Sequence, residues 1–471
     1  MKVLLSFACA VACLVAADGY QEPLRPRYHF SPAKNWTNDP NGLVYYKGEY
    51  HIFYQYNPFG DKWGHMSWGH AVSADMVHWK HLPVALAEEN GVMIFSGSVV
   101  VDPNTSGFCG AGAPDCLVAV YTGHTSTRQS QHIAFSNDRG RTWTKYSGNP
   151  VLDLQLKDFR DPKVLRVGSN WVMVVALPDQ HKVRFYRSAN LKAWELLSEF
   201  GPAGATGGNW ECPDLFPLSG KWVLAMNLMP GGPQGGSANQ YFVGDFDGVK
   251  FVNGHPADTV LWADYGADWY ASTSFYGIPD GRRLWIGWLS NWLYATDEPT
   301  SPWRGVQSFP RSLSLHDGRL VQEPIAELKK LRGPALRLAN VTVEEANHKL
   351  ATFHGQSYEI EVEGAETVQV LKGSAEETIV SLKGTVSIDR RRSGGGSIHK
   401  EFAKVHAAGP ARITRARIFV DHSVVEVFAN DGETVLTDRV FPSSAADGLA
   451  VGGAGPDRVR LTVWKLRTSW N

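Results

Sequence analysis

Three stretches of this chain open an apolar strand with a carboxylate closely followed by proline: Asp39-Pro40, Asp161-Pro162 and Glu211-Cys212-Pro213. None lies in a run of charge, and each keeps aromatic or arginine company: Trp36, Phe159-Arg160 and Trp210. Acids in unlike surroundings can differ in protonation. Cleaving a glycosidic bond needs that difference, with one carboxyl to protonate the leaving oxygen and one carboxylate to act at the anomeric carbon. Glu211, between Trp210 and Cys212, has the desolvated surroundings that favour a protonated proton donor. Asp39, beside Asn38 and the backbone donors of a turn, is expected to be ionised and nucleophilic. Asp161, beside Arg160, is expected to stay ionised and to bond sugar hydroxyls more tightly in the transition state.

The chain that must position these acids repeats five times. An apolar strand is followed by a glycine-containing turn and then a second, stronger apolar strand at 49–56, 116–121, 170–177, 221–228 and 283–289. Third strands end in Ser-Asx turns followed by a tryptophan, at Ser73 to Trp79, Ser136 to Trp143 and Ser188 to Trp194. Looser echoes stand at 241–245 and 311–315. First strands begin near Asp39, Phe95, Asp161, Glu211 and Tyr270. Short strands at a long, near-regular period predict a radial array of four-stranded sheets, a five-bladed β-propeller over 25–325. Its first strands line a central funnel, which brings the three acids together. The Asn38-Asp39-Pro40-Asn41-Gly42 stretch reads as a turn leading into a strand from Leu43. A linker is predicted over 326–339, with a helical-looking piece and Gly333-Pro334. A second, all-β sandwich domain is predicted over 340–471. The segment 390–396 reads as a solvated, charged loop.

The 471 residues exceed one ordinary core, so two domains are expected. A formal net charge of −1 gives no electrostatic basis for nucleic acid or a membrane surface as partner. Aromatics at 11% and 47 glycines suit twisted sheets with tight turns and a sugar-stacking surface.

Residues 1–17 read as a secretory signal, with Lys2, an apolar stretch over 3–15 and small residues before a cut. An exported, extracellular protein is therefore expected. Cys9 and Cys13 would leave with it. Cys109 and Cys116 bracket a short loop and could pair in an oxidising compartment, leaving Cys212 over. Sequons at Asn35, Asn104 and Asn340 fit export, although a glycan at Asn35 would crowd Asp39.

The sequence resembles glycoside hydrolase family 32, the invertases, β-fructofuranosidases, levanases and inulinases. The resemblance runs over nearly the whole chain. It rests on Trp36-Thr37-Asn38-Asp39-Pro40-Asn41-Gly42, Phe159-Arg160-Asp161-Pro162 and Trp210-Glu211-Cys212-Pro213-Asp214-Leu215 in order. It implies a propeller joined to a β-sandwich and retention of configuration by double displacement. Asp39 would be the nucleophile, Glu211 the acid/base and Asp161 the transition-state stabiliser. It further implies a substrate pocket of Trp36, Asn38, Gln55, Trp63, Phe95, Ser96 and Arg160, with Trp292 nearer the leaving group. The expected substrate is a small carbohydrate, sucrose or a fructo-oligosaccharide. Thr37 departs from the family, which usually has a larger apolar residue there.

Histidines around Trp63 and Trp68 lack ligand spacing with an acidic third partner, so neither a catalytic metal nor a cofactor is expected. The glycine-rich 231–236 lacks the lysine of a phosphate loop and reads as a loop over the funnel. Val420-Asp421-His422 and 425–428 read as a structural strand pair. Rival readings are a sugar-binding relative without activity, a transferase passing the fructosyl group to a sugar hydroxyl, and a furanosidase for another sugar.

Overall fold

The Ser-Asx pairs that end the third strands are built turns. Asp75 N donates to Ser73 Oγ at 3.1 Å and Val77 N to Asp75 Oδ1 at 3.1 Å. Asn190 repeats the pattern with Ser188 Oγ at 3.1 Å and Lys192 N at 3.0 Å. Each turn sends the chain into an outermost strand, because the side chain satisfies the backbone donors that the ladder releases.

A computed structural model describes residues 20–410, 412–453 and 458–470. The expected signal segment, with Cys9 and Cys13, lies outside the described residues. Five blades open with inner strands Asn35–Tyr46, Met93–Asp102, Arg160–Val167, Asn209–Leu218 and Tyr270–Ser274. Each packs against the next and the fifth against the first, closing a ring. Trp303–Arg304 adds a parallel pairing to Asn35 and Trp36. The second strands fall at Glu49–Asn57, Cys116–His124, Asn170–Leu177, Lys221–Met229 and Arg283–Trp288, close to the predicted spans. The 170–177 strand is buried along nearly its whole length, as its unbroken apolar run requires when blades stack face to face.

All five inner strands are bulged near the funnel. Register shifts fall between Thr37 and Pro40, Ile94 and Gly97, Glu211 and Asp214, and Tyr270 and Thr273; in the third blade the shift lies opposite Arg160–Lys163. Asp161, Cys212 and Ala271 have φ of 67°, 46° and 52°. Left-handed backbone at non-glycine residues costs on the order of 1–3 kcal/mol each and clusters at functional sites. A bulge re-aims a side chain and is one of the few places a strand tolerates proline. The prolines after the acids therefore mark bulges.

Three expectations change. Asn38–Gly42 is not a turn ahead of a strand; it lies inside the twelve-residue strand Asn35–Tyr46. Gly42, at φ 54°, is required there, since a Cβ would meet Val99 Cγ2 at 2.7 Å and Phe53 Cδ2 at 2.8 Å. The predicted linker over 326–339 is a 3-10 helix, Ala326–Leu331, followed by the strand Arg332–Thr342, which pairs with Arg458–Leu466. Gly333-Pro334 falls at a register shift on that sheet-edge strand, where proline removes no ladder bond. Arg390, predicted to be solvated, is fully buried in the strand Thr385–Arg392.

The later chain forms a β-sandwich of a six-stranded and a five-stranded sheet. Val368, Val380, Ile388, Ile418, Val427 and Leu461 meet in its core. Asp421 and Val424 face each other across the predicted strand pair. Cys109 and Cys116 form a disulfide, and Cys212 is free. The 231–236 loop is tied to both halves: Gln234 Nε2 donates to Tyr265 O and to Ala407 O, each at 2.9 Å.

Candidate active site

The inner strands bring one functional side chain each to the funnel floor: Asp39, Ser96, Asp161, Glu211 and Tyr270. They line a pocket of about 430 Å³ with Asn38, Gln55, Trp63, Phe95, His124, Gln129, Arg160, Asn209, Met229 and Trp292.

Asp39 lies at the bottom. Ser96 Oγ donates to its Oδ2 at 2.6 Å and Asn38 Nδ2 to its Oδ1 at 3.0 Å. Trp36 Nε1 holds Asn38 Oδ1 at 2.7 Å, which turns the Asn38 amide toward Asp39. Trp36 itself is fully buried and does not line the pocket; it supports Asn38 from behind. Gln55 Nε2 is anchored on Ile94 O at 3.0 Å. Trp63 is 43% exposed at the rim, edge-on to Phe95 with ring centres 6.0 Å apart. His124 lies flat on Phe95 at 4.2 Å.

Arg160 does not pair with its neighbour Asp161. It donates from Nε at 3.0 Å and Nη2 at 2.8 Å to Glu211 Oε1, and from Nη1 to Asp158 Oδ1 at 2.6 Å. Tyr270 OH donates to the other Glu211 oxygen in a short hydrogen bond. The desolvated setting expected for Glu211 is therefore absent. Its side chain is 22% exposed and charge-paired, while Trp210 packs away from the funnel with Nε1 on Ala205 O. Adjacent residues in a strand point to opposite faces, so Trp210 could not have shielded it.

Asp161 accepts from Cys212 N at 2.9 Å, and its own N donates to Thr122 Oγ1 at 2.9 Å. Burial pushes its carboxyl up to about 7; Arg160 opposes the rise, and Glu211 and Asp39 add to it. Burial also raises Asp39, against the hydrogen bonds from Ser96 and Asn38. Both are expected to be readily ionised; instead burial raises both, and the neighbouring Glu211 adds to the rise. The Cys212 thiol, pushed up by burial and the surrounding acids, stays protonated and lies 3.4 Å from Asp39 Oδ2 and 3.6 Å from Asp161 Oδ2. Below the floor, Lys163 Nζ pairs with buried Asp214 at 3.0 Å and donates to Ser274 O at 2.6 Å. Asp214 is thus a strut between blades three, four and five.

Sequence reasoning missed Tyr270, His124, Gln129, Asn209 and Met229 as pocket residues. Tyr270 carried a usable signal, since it heads the fifth inner strand where the other blades present Asp39, Ser96, Asp161 and Glu211. Gln129 carried none; it enters through bonds of its Oε1 to Arg160 Nη1 and Phe159 N.

Carboxylates, hydroxyl donors and exposed aromatics around one blind funnel define a carbohydrate-cleaving enzyme of the glycoside hydrolase class. The chain belongs to glycosyl hydrolases family 32: the family's N-terminal domain model matches residues 29–324 and its C-terminal model residues 327–465. A levanase of Bacillus subtilis is 46% identical over 515 residues, covering 100% of this chain and 75% of the levanase. An extracellular exo-inulinase of Aspergillus niger is 40% identical, covering 98% of each chain. The crystal structure of an exo-inulinase from Aspergillus awamori superposes with a TM-score of 0.88 at 37% identity, covering 96% of this chain and 100% of that one. The chain is thus a fructoside-hydrolysing family member.

Proposed function

We propose that this protein is a retaining, exo-acting β-fructofuranosidase that removes terminal β-D-fructofuranosyl units from sucrose and from fructans. Asp39 attacks the anomeric carbon as Glu211 protonates the departing glycosidic oxygen, so one C–O bond forms while another breaks. Water then attacks the fructosyl–Asp39 ester, giving its proton to Glu211 and freeing Asp39.

The observation that carries this reading is the unlike support of the two groups. Asp39 is buried, touched by neutral donors only, and has no cation beside it to compete for its lone pairs. Glu211 is reachable from solvent, as a group that meets leaving group and water must be. Asp161, on the same floor, is placed to accept from fructosyl hydroxyls, and Arg160 to donate to them. A blind floor receives a chain end, not a chain middle, which favours exo action. The relatives named levanase and exo-inulinase support fructans as substrates beside sucrose. Export follows from the expected signal segment and from the exo-inulinase's description as extracellular. No helix among the described residues is long and apolar enough to cross a membrane.

The test is an assay on sucrose, an inulin-type fructan and a levan, resolving free fructose from oligosaccharides. Fructose from all three, with no internal fragments, is expected. Glucose outrunning free fructose, with new oligosaccharides, would establish the transferase reading instead. No turnover on any of the three would leave only the sugar-binding one.

A further inference from the structure

The loop 289–298 carries Trp292 into the pocket and turns back through the 3-10 turn Ala295–Asp297. Arginines of the sandwich hold it at three points. Arg439 Nη1 donates to Leu289 O at 3.1 Å and to Glu298 Oε2 at 3.1 Å, so it grips both ends. Arg390 Nη2 donates to Tyr294 OH at 2.7 Å in the middle. Tyr294 OH passes its own hydrogen to Asp268 Oδ1 at 2.6 Å, and Arg390 Nη1 closes the triangle on Asp268 Oδ2 at 2.6 Å. Asp268 Oδ2 also accepts from Arg439 N at 2.7 Å. Arg390, Arg439, Asp268 and Glu298 are at most 1% exposed.

Such an arrangement is a poor device for stability alone. Desolvating each ion costs several kcal/mol, and well-packed apolar residues of similar volume often do as well. What fixed ions add is position. Besides bonds within the sandwich to Phe402 O, Arg439 O and Ser423, what they fix here runs to the pocket. Trp292 N is held by Ser237 Oγ at 3.0 Å, and Asn291, its neighbour, ties the loop to Ala267 O at 2.8 Å. The Trp292 ring then lies on Trp36 at 5.8 Å and against Trp288 at 4.9 Å. Asp268 sits two residues ahead of Tyr270, the donor to Glu211. Both Trp292 and Tyr270 are therefore suspended from a frame whose cations come from the sandwich.

We infer that the β-sandwich is a working half of the active site, with Arg390 and Arg439 as positioning residues that set Trp292 and through it the pocket's grip on its sugar. The inference rests on the fructosidase reading above, and assigns to the sandwich a task that packing alone does not.

Tyr294→Phe is the cleanest probe, because it removes one hydroxyl and keeps the ring against Phe402, 5.4 Å away. Glu298→Gln is the second, keeping shape while removing the charge that Arg439 meets. Each is made alone and together with Trp292→Ala, and kcat, KM and Tm are measured on sucrose and an inulin-type fructan. The expected result is a KM raised about threefold or more, with kcat changed less, and no further rise in the Trp292→Ala background, since coupled groups are non-additive. The loss in Tm should appear in both backgrounds. A KM effect of equal size in both backgrounds, or a lower Tm with unchanged KM, would overturn the inference alone. A wild-type protein without fructoside turnover would overturn the proposed function and this inference with it.

Discussion

Arg160 turns its guanidinium away from Asp161, its neighbour in the chain, and places two N–H donors on Glu211, 51 residues further on, at 3.0 and 2.8 Å. One arginine thereby links the inner strands of blades three and four at the point where the proposed acid/base must stand. Through Nη1 it also reaches Asp158 and Gln129, which leaves one Nη2 hydrogen for a sugar hydroxyl.

A lysine cannot reproduce that fork. Arg160→Lys should lower kcat/KM about 10²-fold, through misplacement of Glu211 and loss of hydroxyl contacts. Steady-state kinetics with a melting curve decides the matter. A variant within threefold of wild type would mean that the guanidinium geometry is not needed.

Asp161 carries a stability cost in the folded protein. Its carboxyl titrates near 7 in the folded protein and near 3.8 in the unfolded chain. Between those values the folded state binds the extra proton, so stability from this group falls as pH rises from about 4 to 7. Asp161→Asn removes the penalty. The variant should be more stable at pH 7.5 by something on the order of 2 kcal/mol, with little gain at pH 4. Its kcat should fall about 10³-fold. Denaturant unfolding at the two pH values checks this; an equal or negative effect at pH 7.5 would contradict it.

Much of this was readable in the chain, for identifiable reasons. The second strands and the Ser-Asx turns were visible because buried strands need unbroken apolar runs and tight turns need particular side chains. The three acids were visible because a bulged strand accepts proline and leaves it as a marker. Side-chain direction was not. Adjacency pairs Arg160 with Asp161 and Trp210 with Glu211, but Trp210 faces the other side of its strand. Arg160, at a bulge that leaves it in the pocket beside Asp161, reaches across to Glu211. Trp36 went behind the pocket for a similar reason: sequence places it at the site without saying on which side of Asn38 it packs. Arg390 looked solvated because its partners, Asp268 and Tyr294, come from the other half of the molecule.

His29 tests the contact between the halves. Its Nδ1 lies 2.9 Å from Asp421 Oδ2 and its Nε2 2.9 Å from Glu426 Oε2, all fully buried. Burial works against its charged form, but the two carboxylates outweigh that and raise the imidazole above 6.5. Its contribution is fully present below the unfolded value of 6.5 and is lost as pH rises through the folded value. Asp421 and Glu426 are lowered by the same contacts, with their contribution lost toward acid. His29→Gln should cost about 3–5 kcal/mol at pH 6 and less at pH 9. Unfolding curves at both values read the difference, and a cost independent of pH would show that the imidazole is neutral.

The most direct measurement is the mass of the protein caught in mid-reaction. Glu211→Ala, supplied with a β-fructofuranoside whose leaving group needs no proton, is quenched and digested. One hexosyl unit on the peptide that contains Asp39 is expected, because the variant can form the ester and cannot activate water to release it. Product with inverted configuration and no adduct, or an adduct on Asp161 instead, would contradict the assignment of Asp39 as nucleophile.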